Sequence, residues 1–557
     1  MDIFLHIMIV KWIIEQVRRL ANALAAYHRR QPLLAVMALF LSGIVFGFHF
    51  GGMAVAAVGA LVCGAAWAVL ARQGSSLWML ARVGTIVLAG WGLAAREREG
   101  RAEEARRFGE LAPKQVFVCR VGQEAIQTPL KGQSAKVVFK GERFRTEDGT
   151  FACVHMPVNV TWFGLRDSLD APHPGEVWHI KGKGKIRTRR GSGLPYLEIN
   201  TGEGRAERLA EAGASSWRAR VDRARRRAAR RVVIGIESWG DIPALNQAML
   251  LGSRHEMPPA MKRVFVDSGT IHVFAISGLH IVLVAAVLTL TVSVLGVPRM
   301  YWLWAVGPPL IFYTVMTGSQ PSAVRACVMG LVYFVAPLIG RKPSGMAALA
   351  GSALVLHAIR PSLIYDVGSV LSFTVMAGLV VFCQPFCNVG RRLCRVGWME
   401  NEVTKLRLIG DAAGARRWGT VATAVKWTAD SFAVSLAAWL ASVPLTAYYF
   451  GRFTPGGLFA NLLAGPCSLF IVVAGCLGVA ASFVSDWLAA CFNHAAGFFT
   501  WVMVKTAEVT VACPGSNFRI AKWTPWLVWA WFVVLLVVAV RLRTRRPSDG
   551  MAWMSEK

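Results

Sequence analysis

Residues 273–295 read VFAISGLHIVLVAAVLTLTVSVL, a run with no Asp, Glu, Lys or Arg. A helix needs about 20 mostly apolar residues to cross a bilayer, so this run is long enough to span one. Further apolar runs follow at about 300–317, 321–339, 344–359, 364–384, 428–450, 456–481, 485–510 and 523–541. Three precede it, at Leu33–Phe50, Ala54–Leu70 and Leu77–Leu93. Short charged stretches separate them. The pattern predicts a polytopic α-helical membrane protein with about 12 transmembrane helices. A membrane β-barrel would alternate polar and apolar residues with period two, which these runs do not. No period of 20–50 residues repeats, which excludes a solenoid.

Charge sets the expected topology. Arg29 and Arg30 precede the first run, Arg72 follows the second, and 388–426 carries eight Lys or Arg against three acids. The positive-inside rule places these stretches, and both termini, in the cytoplasm. Residues 1–30 alternate at helical spacing but contain Lys11 and Glu15, so they are expected to form an amphipathic cytoplasmic segment rather than a signal peptide. Residues 31–95 then make three spans. The chain is 55% hydrophobic and 17% charged, with a net charge of +29. Part of that excess is the ordinary loop bias. The rest suits anionic lipid headgroups or a polyanionic partner.

Residues 105–204 change character. QVFVCRVG, SAKVVFKGERF, FACVHMPVNVTWFG, GEVWHIKGKGKIR and PYLEIN are short β-prone stretches between Gly, Asp and Pro clusters. Five strands in this length predict a small external β-barrel of the OB type. Lys181, Lys183, Lys185 and Arg187, with Trp178 nearby, are candidate contacts to a single strand of nucleic acid, which OB folds bind through basic grooves and stacking aromatics. A solvated structural edge is the competing reading. Residues 205–237 form a basic linker, with ten Arg between 205 and 231. Its core, including Arg225, Arg226 and Arg227, is read as a helix that contacts either phosphates or headgroups. Cys119 and Cys153 are the external domain's cysteines and a candidate disulfide, since that compartment permits oxidation. If one strand separates theirs, the spacing is too wide to bridge.

Four stretches of the remaining chain place polar residues in or beside the apolar runs. The first, from Leu250, reads LLGSRHEMPPAMKRVFVDSGTIHVFAISGLHIVLV. It puts His272, Ser277, Gly278 and His280 at the mouth of the opening run. On a straight helix the two histidines would stand about 80° and about 12 Å apart, too far to share a metal. The second is FYTVMTGSQPSAVRACVMG, with Tyr313, Gly318, Ser322 and Arg325. The third is HAIRPSLIYDVGSVLSFTVMAGL, with Pro361, Asp366, Gly368, Ser372 and Phe373. The fourth is SVPLTAYYFGRFTPGGLFANLLAGP, with Pro444, Tyr449, Phe450, Asn461 and Pro466. Each polar residue also has a plainer reading. Arg325 and Asp366 are a candidate ion pair, and the serines and Asn461 are candidate helix-packing contacts.

Taken in order, the four blocks resemble the signatures of the ComEC-type competence family. A Gly–x–x–His stretch running into Ile–Ser–Gly–Leu–His is matched by Gly269, His272, Ile276, Ser277, Gly278, Leu279 and His280. The resemblance covers about 240–480, within a competence-type transmembrane domain at 238–515. A last helix and basic tail occupy 516–557. It implies an inner-membrane channel for uptake of single-stranded DNA in natural transformation. It also implies other uptake proteins, a separate nuclease and a cytoplasmic helicase as partners, and no cofactor. Many members continue into a metallo-β-lactamase-like nuclease domain. Its His–x–His–x–Asp–His cluster is not found in this sequence, so no catalytic or metal residue is expected. The runner-up is a transporter or channel for another polar or anionic solute. A membrane enzyme using His272 and His280 is a third reading.

Overall fold

The computed structural model describes residues 32–50, isolated positions from 56 to 63, 78–109, most of 114–210, 217–252, and 257–544 with breaks at 275–277 and 410. The expected amphipathic segment 1–30, most of the run 54–70, and Ser277 lie outside the described residues. The chain divides into two compact units. One holds residues up to Arg230 together with Ala285–Ser369. The other holds Arg231–Val284 together with Val370 onward.

The first unit begins with α1 (Pro32–Phe50) and α2 (Trp78–Gly109). They cross at glycines. A Cβ on Gly43 would stand 1.9 Å from the Val87 carbonyl oxygen, and one on Gly90 would stand 2.3 Å from that of Phe40. Small residues let backbones approach this closely. The second half of α2 is charged and runs on to the β domain. There the Glu104 carboxylate accepts from the amides of His155 and Met156, at 2.8 and 2.7 Å.

The β domain comprises β1 (Lys114–Val121), β2 (Ile126–Pro129), β3 (Ala135–Thr146), β4 (Ala152–Cys153), β5 (Val158–Leu165), β6 (Val177–Thr188), β7 (Pro195–Thr201) and β8 (Ala206–Ala210). The pairing runs β1–β3–β5–β7–β6, and β6 pairs back with β1. Only β5 and β7 are parallel within that path. Alternating residues of these strands, among them Phe117, Val160, Ile180, Leu197 and Ile199, fill one core, which Phe108 of α2 also enters. Residues 206–210, read above as part of the basic linker, form a strand on β6 instead. Trp178, taken above as available for stacking, is buried. It packs edge-on to Trp162 and donates from Nε1 to Glu176 at 2.9 Å. Its position on β6 has the opposite parity to the exposed lysines, so it faces the core.

The remaining helices of this unit are α3 (Trp217–Val232), most of α6 (Gly278–Val294), α7 (Trp302–Met316), α8 (Pro321–Leu338) and α9 (Gly345–Ile359). The second unit holds α4 (Ile242–Leu251), α5 (Pro259–Asp267), most of α10 (Val367–Leu393), α11 (Val396–Leu408), α12 (Ala412–Phe450), α13 (Gly456–Ala481), α14 (Asp486–Ala512) and α15 (Pro525–Thr544). A two-residue ladder, β9 (Arg452–Phe453) with β10 (Phe518–Arg519), ties its loops. Its core gathers Leu245, Met249, Phe265, Phe274, Ile471 and Met503. Among the described residues, α8, α10, α12, α13 and α14 are long and apolar enough to cross a membrane. Val36–His49, Ile242–Leu251, His280–Val294, Gly345–Ile359 and Pro525–Ala539 are shorter apolar segments. The molecule is a helical membrane protein.

Candidate functional site

The four sequence blocks meet in two pairs, one pair in each unit. In the second unit the first block meets the fourth. Helix α5 ends at Asp267, and the chain turns through Gly269 at φ +78°. A Cβ there would be 2.9 Å from Thr454 Oγ1 and 3.4 Å from Gly457 Cα. Left-handed φ and close approach both select glycine. Arg452 donates to Asp267 Oδ1 at 2.5 Å. Trp439 Nε1 donates to the Thr454 carbonyl at 3.0 Å. The hydroxyls of Ser268 and Thr270 share a buried hydrogen bond of 2.7 Å.

These contacts fix the loop that presents His272, which is exposed and donates from Nδ1 to the Gly269 carbonyl at 3.2 Å. His280 lies fully buried near the start of α6, behind the half-buried Gly278. Asn461 follows Gly457 by about one turn on α13. Its Oδ1 is enclosed without a hydrogen-bond partner among the described residues. A buried acceptor left unsatisfied costs about 1–3 kcal/mol, so this carbonyl is an open polar position. Ser372 is half-buried on α10.

In the first unit the second block meets the third. Arg325 of α8 is 5% exposed, and its Nη2 donates to the Gly368 carbonyl at 2.9 Å. Its Nε is buried without a hydrogen-bond partner among the described residues. Asp366 is the candidate ion-pair partner of Arg325. Its carboxylate acts on the Arg325 guanidinium electrostatically, and Asp366 Oδ2 also accepts from the Ser369 amide at 3.0 Å. That is the geometry of a helix N-cap, here on α10. Tyr313 and Ser322 are half-buried on α7 and α8. Gly318 and Ser319, both at positive φ (80° and 49°), turn the chain between those helices.

The basic residues divide. Lys181, Lys183, Lys185 and Arg187 all emerge exposed from one face of β6, spaced by about 6.6 Å at two residues per repeat. Arg187 also meets Glu198 at 3.0 Å. On α3, Arg226 and Arg227 are exposed, whereas Arg225 is 7% exposed. The expectation of a surface contact at Arg225 is corrected by helix geometry. Val221, Arg225, Ala228 and Val232 are all buried, at spacings of three and four. The Arg225 guanidinium lies where a Cβ on Gly318 would be 3.6 Å away. Cys119 and Cys153 are both free and buried. Both align with Phe144 of the intervening strand β3, so the candidate disulfide is not formed.

Sequence reasoning missed two features. Asp267 and Arg452 lie 185 residues apart and only the fold brings them together. Glu97 and Arg101 of α2 form an ion pair and bind Ser362, whose amide donates to Glu97 at 2.9 Å and whose Oγ accepts from Arg101 at 3.0 Å. Their i,i+4 spacing was the available signal.

The family model for competence protein matches residues 249–545. ComE operon protein 3 of Bacillus subtilis (strain 168) is 24% identical over 321 residues, covering 56% of this chain and 36% of the relative. An uncharacterized protein of Escherichia coli (strain K12), YcaI, is 32% identical over 145 residues, covering 24% of this chain and 19% of the relative. An uncharacterized protein of Aquifex aeolicus (strain VF5) is 28% identical over 147 residues, 26% of this chain and 34% of the relative. The chain thus spans about a third or less of the length of the curated relatives it matches. No solved structure matches. The family model covers more than half of the chain and includes the paired blocks, so the chain belongs to the competence protein family, of the ComEC type.

Proposed function

We propose that this chain is a channel of the bacterial inner (cytoplasmic) membrane that takes up single-stranded DNA during natural transformation. The observation that carries the reading is the family match over 249–545, the same segment that contains the buried His280 and Arg325 and the half-buried Asn461. Polar groups at membrane depth are costly and mark pathways or cavities. In this reading about 12 spans cross the bilayer, both termini are cytoplasmic, and the β domain lies outside. The returning path of strand pairs, with β5 parallel to β7, supports an OB-like barrel. The exposed row on β6, with Arg226 and Arg227 on α3, gathers the strand electrostatically. The candidate path residues are, within the first unit, Tyr313, Ser322, Arg325 and Asp366 and, within the second, His272, Gly278, His280, Ser372 and Asn461. A separate nuclease, a helicase and other uptake proteins complete the process.

Salt dependence separates this from a channel for another anion. Four phosphate contacts along β6 give log Kobs against log[salt] a slope of about −3 for single strands, about 0.7 per contact. Purified full chain in detergent is titrated with a labelled oligonucleotide and with polyphosphate. The expected result is tighter binding of the oligonucleotide and a slope that falls by about 0.7 for each of Lys181→Gln, Lys183→Gln and Lys185→Gln. Equal binding of polyphosphate, or a slope unmoved by all three, favours the other-solute reading.

A further inference from the structure

Away from the four blocks, the C-terminal end of α10, the start of α11 and the N-terminal half of α12 line an open cleft of about 430 Å³. Its walls carry Arg391, Arg392, Arg395, Trp398, Glu400 and Lys426. Two of the four cations are matched by carboxylates. Arg391 makes a bidentate pair with Asp430, Nε–Oδ1 2.7 Å and Nη2–Oδ2 2.6 Å. Lys426 Nζ donates to Glu400 Oε1 at 2.8 Å. Among the described residues, no carboxylate pairs with Arg392 or Arg395, and both are exposed. The cleft therefore holds an excess of two positive charges. Gly397, at the first turn of α11, has no atom within 4 Å of where a Cβ would be, so its backbone is open to a ligand. The partial positive charge of a helix start adds to the field there.

The surroundings identify the source of the anion. Leu393 is 79% exposed, and Trp398 is 54% exposed beside Trp418, at 5.8 Å between ring centroids. An exposed Leu and Trp interleaved with exposed Arg are the composition of a membrane–water interface. Both α10 and α12 are long and apolar enough to span, so the cleft sits where two spans give way to an interfacial helix. We propose that this cleft binds the phosphate of an anionic phospholipid headgroup, with Arg392 and Arg395 as the cations that hold it. The inference goes beyond DNA uptake and does not rest on it.

The test is native mass spectrometry of the purified full chain titrated with phosphatidylglycerol or phosphatidylcholine, backed by melting temperature. Wild type should retain phosphatidylglycerol in preference to phosphatidylcholine. The Arg392→Gln/Arg395→Gln variant should bind phosphatidylglycerol roughly 30-fold more weakly, and each single variant about fivefold, from the usual contribution of one cation at an anionic surface. An unchanged melting temperature without lipid shows that the variant folds, and the single variants carry the test if the double does not. Equal retention of the two lipids by wild type overturns the proposal, as does undiminished phosphatidylglycerol binding by the variants. Protection by inorganic phosphate alone, matching that by phosphatidylglycerol, assigns the cleft to a soluble anion and also overturns it.

Discussion

At the scale of single residues, Cys119 and Cys153 show how register governs chemistry. Each aligns with Phe144 from an opposite side, so one strand stands between them. Their backbones are then about 9–10 Å apart, beyond the roughly 7 Å a disulfide tolerates. Burial pushes the Cys119 thiol up to about 12. Burial first, and then the Glu104 carboxylate and Cys119, push Cys153 up as well. An unfolded thiol ionises near 8.5, so stability from these groups is full below that pH and is lost as pH climbs towards 12. Iodoacetamide at pH 8 should leave both thiols largely unlabelled in the folded chain and label both after denaturation. The melting temperature should fall between pH 8 and pH 10. Native labelling at the rate of an unfolded thiol would contradict the assigned burial. The sequence displays both cysteines, but the strand between them follows from pairing that one-dimensional spacing does not encode. Arg225 and Trp178 teach the same point. Their residue types are legible as cation and aromatic, yet the face each occupies turns on helix phase and strand parity.

Elements were the most legible scale, because a run of apolar residues must find a helix to satisfy its backbone in lipid. The runs at 321–339, 344–359, 456–481 and 485–510 coincide closely with α8, α9, α13 and α14. Differences occur where charge was read as a break. Helix α12 continues for 39 residues through the basic stretch before its apolar part, since Lys and Arg are good helix formers. Residues 206–210 pair with β6 because its edge there is free to accept a strand. The α1–α2 crossing shows what packing adds to the pattern. Gly43→Leu places side-chain atoms against the Val87 carbonyl, and overpacking of this kind costs about 1–3 kcal/mol. Its melting temperature in detergent and its membrane abundance should both drop. Gly465→Ala, on α13 with no atom within 4 Å of the new Cβ, should match wild type. Equal melting temperatures for Gly43→Leu and wild type would show that the two helices do not cross at this glycine.

For the whole molecule, the order of the polar blocks along the chain was legible, and the resemblance they carry agrees with the family match. Their partnering was not. First meets fourth through Gly269 and Gly457, and second meets third through Arg325 and Gly368; both are long-range contacts decided by packing. Arg325 anchors the start of α10 through a backbone carbonyl while keeping a buried Nε in reserve. Arg325→Lys should therefore keep part of the function, because charge survives while the planar fork is lost. The proposed uptake of DNA is tested most simply by following labelled DNA into the cytoplasm of cells from which the gene is deleted. The account predicts that DNA still binds the cell surface but no longer enters. Wild-type chain should restore entry, Arg325→Lys should restore part of it, and Arg325→Ala at normal membrane abundance should restore little. Unchanged entry in the deleted cells would contradict the account.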